Sequence, residues 1–180
     1  MKDKTIYDKC PVYSSDHFLL RLVEEGDAED LLHCYSDASA VQLMNADNCS
    51  SNFHYSTVNE MNDCIQGWLG AYKVGLFIRF CSIDTQNSKA IGTIEMYDKS
   101  KNIGILRLDL CSAYEKQNHI LEILTLSIDK FYNAYDVKHI LVKAIPAAKE
   151  RISALRACGF IPAEQHAMKP HGDYYIHNRC

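Results

Sequence analysis

The sequence predicts a mixed α/β (α+β) fold, with a central, mostly antiparallel sheet and helices on both of its faces. Three observations carry this. The chain reads as strand, two helices, three strands, helix, strand, helix, two strands. The three middle strands are joined by the short, turn-prone "DTQNS" and "KSK", which read as hairpins, while the β-α-β-α run after them needs a crossover connection. Finally, 47% of the 180 residues are apolar, and no repeat or linker divides them. That suits one domain over residues 1–180 with a real core.

"HFLLRLV" (17–23) alternates Phe18, Leu20 and Leu22 with other residues and reads as a strand. "EEGDAEDLLHCYSD" starts a helix, with Asp27 as N-cap and Leu31, Leu32 and Tyr35 on one face. Residues 44–56 are polar and short in side chain, and they read as a mobile loop. Thr57 and Glu60 have capping-box spacing and open a helix with a stripe of Val58, Met61, Ile65, Trp68, Leu69 and Tyr72. Strands follow at 76–83, 90–98 and 102–110; in the last, Ile105, Arg107 and Asp109 face one way and Leu106, Leu108 and Leu110 the other. Residues 118–135 keep helical period through Ile120, Leu124, Ile128, Phe131 and Tyr135. "KHILVKA" (138–144) is a short strand. Pro146 and Gly159 then bracket a helix, and "GFIPA" and "GDYYIHNR" read as the closing strands.

Composition excludes several classes. A formal charge of −4 gives no basic excess for nucleic acid. No apolar run nears the ~18 residues of a membrane span. The charged start "MKDKTIYDKC" lacks a secretory core, so a cytoplasmic location is expected. The eight cysteines include no C-x-x-C pair, which argues against a disulfide framework. His166, His171 and His177 cluster loosely without metal-ligand spacing, so no metal is expected.

The element order, with "FLLRLVEEGDAEDLL", "AIGTIEMYD" and "ALRACGFIP", resembles the GCN5-related N-acetyltransferase (GNAT) family over roughly residues 16–178, and within it the ribosomal-protein-alanine acetyltransferase branch. The resemblance implies acetyl-CoA as co-substrate and an amine, on a small molecule or a protein, as acceptor. It implies that backbone amides at a helix mouth hold the pyrophosphate, where helix-end donors and dipole favour an anion. The implied cofactor residues are Leu108, Leu110, Lys116, Gln117, Asn118, His119 and Ile120. The family's turn reads Arg or Gln, two residues, Gly, one residue, then Gly or Ala. Here those positions hold Glu115, Asn118 and Ile120. Glu115 is expected to set negative charge beside the phosphates, and β-branched Ile120 to take up their space. Ala148 stands near where the family has a cofactor-binding Asn, and Leu155 near its general-acid Tyr.

An amine must lose a proton before it attacks a thioester. Glu95 and Asp109 are the candidate bases, Tyr174 or Tyr175 the candidate acid, and an amide near Leu108 to Leu110 is the implied oxyanion donor. The other reading is a non-catalytic protein of the same fold, holding a ligand or partner in the old cleft. Acceptor identity and oligomeric state are not legible in the sequence.

Overall fold

Alternation of side chains decides the sheet, and one parallel pair decides the site. The computed structural model describes residues 6–47, 53–100, 102–163 and 172–179, with residues 98–100 described by backbone only. The strands are β1 (Tyr13–Ser14), β2 (Phe18–Leu22), β3 (Arg79–Asp84), β4 (Lys89–Ser100), β5 (Ile103–Leu110), β6 (His139–Lys143), β7 (Ile161–Pro162) and β8 (Tyr174–Asn178). The helices are α1 (Ala28–Tyr35), α2 (Ala38–Val41), α3 (Val58–Lys73), α4 (Gln117–Tyr135) and α5 (Lys149–Ala157). The strands form a single sheet in the order β1-β2-β3-β4-β5-β6-β8-β7. All neighbours are antiparallel except β5 and β6, which α4 connects.

One sheet face carries Phe18, Leu20, Phe80, Ile94, Leu106, Leu108 and Leu110, packed on Ile123, Leu124 and Phe131 of α4 and Leu155 of α5. The opposite face meets Leu31, Cys34 and Tyr35 of α1 and Met61, Ile65 and Trp68 of α3. Each such large apolar side chain contributes roughly 1.5–3 kcal/mol when taken from water. The expected split of β5, leucines one way and Ile105, Arg107 and Asp109 the other, is what its neighbours show.

The helix signals are met in part. The Thr57–Glu60 box closes both ways, with the Glu60 amide on Thr57 Oγ1 at 3.2 Å and the Thr57 amide on Glu60 Oε2 at 3.0 Å. Gly159 follows α5 at φ +85°. Asp27 caps differently from expectation: a 3-10 turn over Glu25–Asp27 precedes α1, and its carboxylate takes the Glu24 amide at 2.8 Å. Pro146 lies in the turn before α5 rather than at its start. Gly92 marks a bulge of β4 against β3; a Cβ there would sit 2.0 Å from the Asp109 carbonyl, so β5 can approach only a glycine.

The stretch expected to be a mobile loop begins with a tethered segment. Leu43 to Asp47 bonds to α5, β4, β5, β6 and β8, as set out below, because its backbone carbonyls are buried and need donors. Residues 48–52 of that loop lie outside the described residues, as do His166 and His171. Among the described residues, no three His, Cys, Asp or Glu side chains gather as a metal site, and no helix is long and apolar enough to cross a membrane.

Candidate active site

Where β5 leaves β6, the backbone itself makes a feature. The Cys111 amide bonds to the Ile91 carbonyl at 2.8 Å, and Thr93–Asp109 and Glu95–Arg107 continue that register. Hydrogen-bonding direction alternates along a strand, so the amides of Leu106, Leu108 and Leu110 point toward β6. The β5–β6 ladder ends at Leu106–Val142. Leu108 and Leu110 therefore aim their amides into the opening between two diverging parallel strands.

At the wide end of that opening stands the mouth of α4. Lys116, Gln117 and Asn118 are exposed, and His119 is half-buried against the Phe18 and Tyr114 rings. The Ile120 amide is spent on the Lys116 carbonyl at 3.0 Å. The Gln117 amide holds Glu150 Oε2 at 2.8 Å, so a carboxylate from the first turn of α5 already sits at this helix end. That acid shows the mouth accepts an anionic oxygen, as its dipole and orphan donors require.

Two expectations at this turn are corrected. Ile120 does not fill the mouth: it is wholly buried in the core beside Ile123 and Leu124. Glu115 does not set bare charge there either. It is buried against Arg151 of α5, whose Nη2 pairs with Oε1 and whose Nε lies 3.3 Å from Oε2. Ala148, also buried, caps α5 without a side-chain bond.

On the opposite sheet face, Glu95 and Asp109 enter one buried cluster. Arg79 Nη2 lies 2.8 Å from Glu95 Oε2, and its Nη1 donates to Asp109 Oδ2 at 3.2 Å and Thr93 Oγ1 at 3.1 Å. Arg107 pairs with the other oxygen of Glu95. Tyr35 donates to Asp109 Oδ2 at 3.0 Å, and Trp68 stacks on Arg79 with 4.3 Å to its centroid. Burial alone would discharge Arg79, but the facing carboxylates outweigh it and raise its pKa. No described donor reaches Asp109 Oδ1, although the residue is 0% exposed.

Leu43 to Asp47 forms a strap beside this cluster. Arg151 Nη1 donates to the Leu43 carbonyl (3.2 Å), Arg107 Nε to the Asn45 carbonyl (2.7 Å), and Lys143 Nζ pairs with Asp47 Oδ1 (2.7 Å). Tyr97 Oη donates to the Asp47 carbonyl at 3.4 Å. Tyr174 accepts from Asn45 Nδ2 (3.2 Å) and donates to Asp47 Oδ2 (2.9 Å). Burial first, then Asp47, pushes the Tyr174 phenol well up, so it keeps its proton at neutral pH. Tyr175 lies on the other sheet face, in the core.

Solved structures share the overall fold of this eight-stranded sheet and its helices. Ribosomal-protein-S5-alanine acetyltransferase from Vibrio fischeri matches at 16% identity and TM-score 0.70, over 93% of this chain and 96% of that one. The chain has the GCN5-related N-acetyltransferase fold. A GNAT-family acetyltransferase from Bacillus anthracis matches at 14% identity and TM-score 0.72, over 93% and 98% of the two chains. A ribosomal L7/L12 alpha-N-protein acetyltransferase in complex with coenzyme A matches at 13% identity and TM-score 0.72, over the same shares. No protein-family model and no curated sequence matches the chain. The sequence-derived residues thus fall into three groups in the structure: Leu108, Leu110 and Lys116 to His119 beside the opening, Glu95, Asp109 and Tyr174 on the face behind it, and Ile120 in the core. Arg79, Arg107, Asn45, Asp47, Lys143, Glu150 and Arg151 were not singled out in the sequence. Their one visible signal was Arg107, a charge inside the apolar run "ILRLDL".

Proposed function

We propose that the protein is an N-acetyltransferase that moves an acetyl group from acetyl-CoA to an amine. The observation that carries this reading is the pair of amides, Leu108 and Leu110, aimed into the β5–β6 opening with an anion-accepting helix mouth beside it. Acetyl-CoA fits this arrangement: Asn118, His119 and, once Glu150 swings away, Gln117 would hold its pyrophosphate, with Lys116 nearby as a cation. The bound thioester supplies the activated acyl group. Leu108 and Leu110 offer donors along the slot, one of them for the oxyanion.

Asp109 is our assignment as base. Glu95 is flanked by two guanidinium groups, with Arg79 Nη2 an ion-pair distance of 2.8 Å from Oε2 and Arg107 on Oε1, whereas no cation or described donor reaches Asp109 Oδ1, which can accept a proton from the amine, directly or through water. Tyr174 retains the proton that a departing thiolate would need. As acceptor class we favour the α-amine of a protein, on the strength of the ribosomal-protein acetyltransferases among the neighbours. A cytoplasmic location belongs to the same proposal.

A second reading has its own observation. Glu150 on the Gln117 amide, together with the strap across both arms of the opening, suits a non-catalytic protein whose cofactor mouth has been filled from within. Thiol release from acetyl-CoA, followed with N-terminal peptides as acceptors, separates the two. The acetyltransferase releases coenzyme A, and Asp109→Asn lowers kcat by roughly a hundredfold while the KM for acetyl-CoA holds. A folded protein that binds no acetyl-CoA and releases no thiol supports the second reading.

A further inference from the structure

Behind the opening, the charges that the strands carry on the polar face do not balance by themselves. Arg79, Arg107 and Lys143 bring cations from β3, β5 and β6, against only the carboxylates of Glu95 on β4 and Asp109 on β5. The compensating carboxylate is Asp47 of the strap, with Oδ1 2.7 Å from Lys143 Nζ and Oδ2 2.9 Å from Tyr174 Oη. Strand side chains also meet the strap's carbonyls. Arg107 Nε donates to Asn45 at 2.7 Å, Arg107 Nη2 to Asp47 at 3.3 Å and Tyr97 Oη to Asp47 at 3.4 Å. Leu43 to Asp47 lies in no helix or strand. One cation and several donors on the sheet thus hold a carboxylate and the carbonyls of a short segment outside it.

A bound peptide would be held in the same way. We propose that the amine acceptor is a peptide with an acidic residue at its second or third position, whose carboxylate takes the place of Asp47 on Lys143. The inference rests on the acetyltransferase reading above and names the acceptor for it. Charge favours it. The side chains of Lys143 and Asp47 are 19% and 10% exposed, so the pair is largely shielded from water. Exchanging one carboxylate for another keeps the ammonium paired, whereas a neutral or basic acceptor would leave it alone out of water.

Spacing agrees with charge. The β5–β6 ladder ends at Leu106–Val142, which sets Lys143 level with Arg107. Asp109, the proposed base, stands two residues further along β5, or roughly 7 Å at ~3.3 Å per residue. One or two residues of extended peptide cover a similar span, at roughly 3.3–3.6 Å each. An α-amine placed at Asp109 therefore leaves the next side chains beside Lys143. The Arg107 and Tyr97 donors that now meet strap carbonyls would meet those of the peptide. Tyr174, released from Asp47 Oδ2, keeps its proton for the departing thiolate.

The test gives the full chain acetyl-CoA and peptides that differ only by Glu or Gln at the second or third residue, and follows thiol release. The Glu peptide is expected to have the higher kcat/KM, on the order of tenfold to a hundredfold and through KM. Lys143→Met should abolish that preference, and Asp47→Asn should widen it. Should Lys143→Met not fold, Lys143→Met combined with Asp47→Asn removes both charges of the pair and carries the same expectation. An ion pair that served only the fold would change both peptides alike. Equal use of the two peptides by the wild type, or a preference that survives the loss of Lys143, overturns the proposal. If no peptide is turned over, the catalytic reading fails, and calorimetric binding of the same peptides decides alone. Tighter binding of the Glu peptide, lost with Lys143→Met, upholds the acidic ligand; equal or absent binding overturns it.

Discussion

Glu115 stands where the family resemblance implies Arg or Gln, and Arg151 of α5 pairs with it. Both are buried, so removing one partner strands the other's charge. Arg151→Leu should cost about 3–5 kcal/mol by urea denaturation, whereas Arg151→Leu combined with Glu115→Leu should recover most of it. Equal loss in single and double variants would mean that the pair itself is not what matters. The Glu115 departure could be read from the turn alone. Its partner could not, because an ion pair between residues far apart in sequence leaves no periodic mark. A titration acts at this scale too. Burial holds the His177 ring below its usual pKa, with Asp129 pulling weakly the other way, and Tyr132 Oη lies 2.7 Å from Nδ1. The unfolded chain then binds the proton more readily, so this contribution is complete above the ordinary ~6.5 and is lost as pH falls through the lower folded value. The melting difference between wild type and His177→Gln should shrink from pH 7.5 to pH 5.5; parallel curves would contradict it.

Among the elements, α4 and α5 meet at the proposed cofactor mouth through the hydrogen bond from the Gln117 amide to Glu150 Oε2. Glu150 is exposed, so this contact competes with a diphosphate at little cost to the fold. Glu150→Ala should tighten acetyl-CoA binding by about threefold to tenfold in calorimetry, with the melting point of the free protein nearly unchanged. Unchanged affinity would show that Glu150 does not gate the mouth. The sequence announced the strands and α4 well, since alternation and a 3.6-residue period are local. Residues 44–47, the described start of the expected loop, differ from expectation for the opposite reason. Their polar side chains look like solvated loop, yet Asn45 and Asp47 are fixed by Arg107, Lys143 and Tyr174 from three separate strands. Short α2 inside the same connection has too few residues to show a period.

For the molecule as a whole, the sheet is split between an apolar face that anchors α4 and a face where Arg79, Glu95, Arg107 and Asp109 neutralise one another out of water. That cluster holds β3, β4 and β5 in register directly behind the opening. The composition gave no hint of it, because the net charge of −4 does not say which charges are buried together. A ligand bound only by the folded form adds about 2.7 kcal/mol at a hundredfold excess over Kd, so acetyl-CoA binding should be easy to detect. The measurement that tests the account most directly is a map of backbone amide chemical shifts as acetyl-CoA is titrated into the protein. The account predicts that Leu108, Leu110, Gln117, Asn118 and His119 move most. No movement, or movement confined to the far side of α5 around Ser153, Arg156 and Asp173, would contradict it.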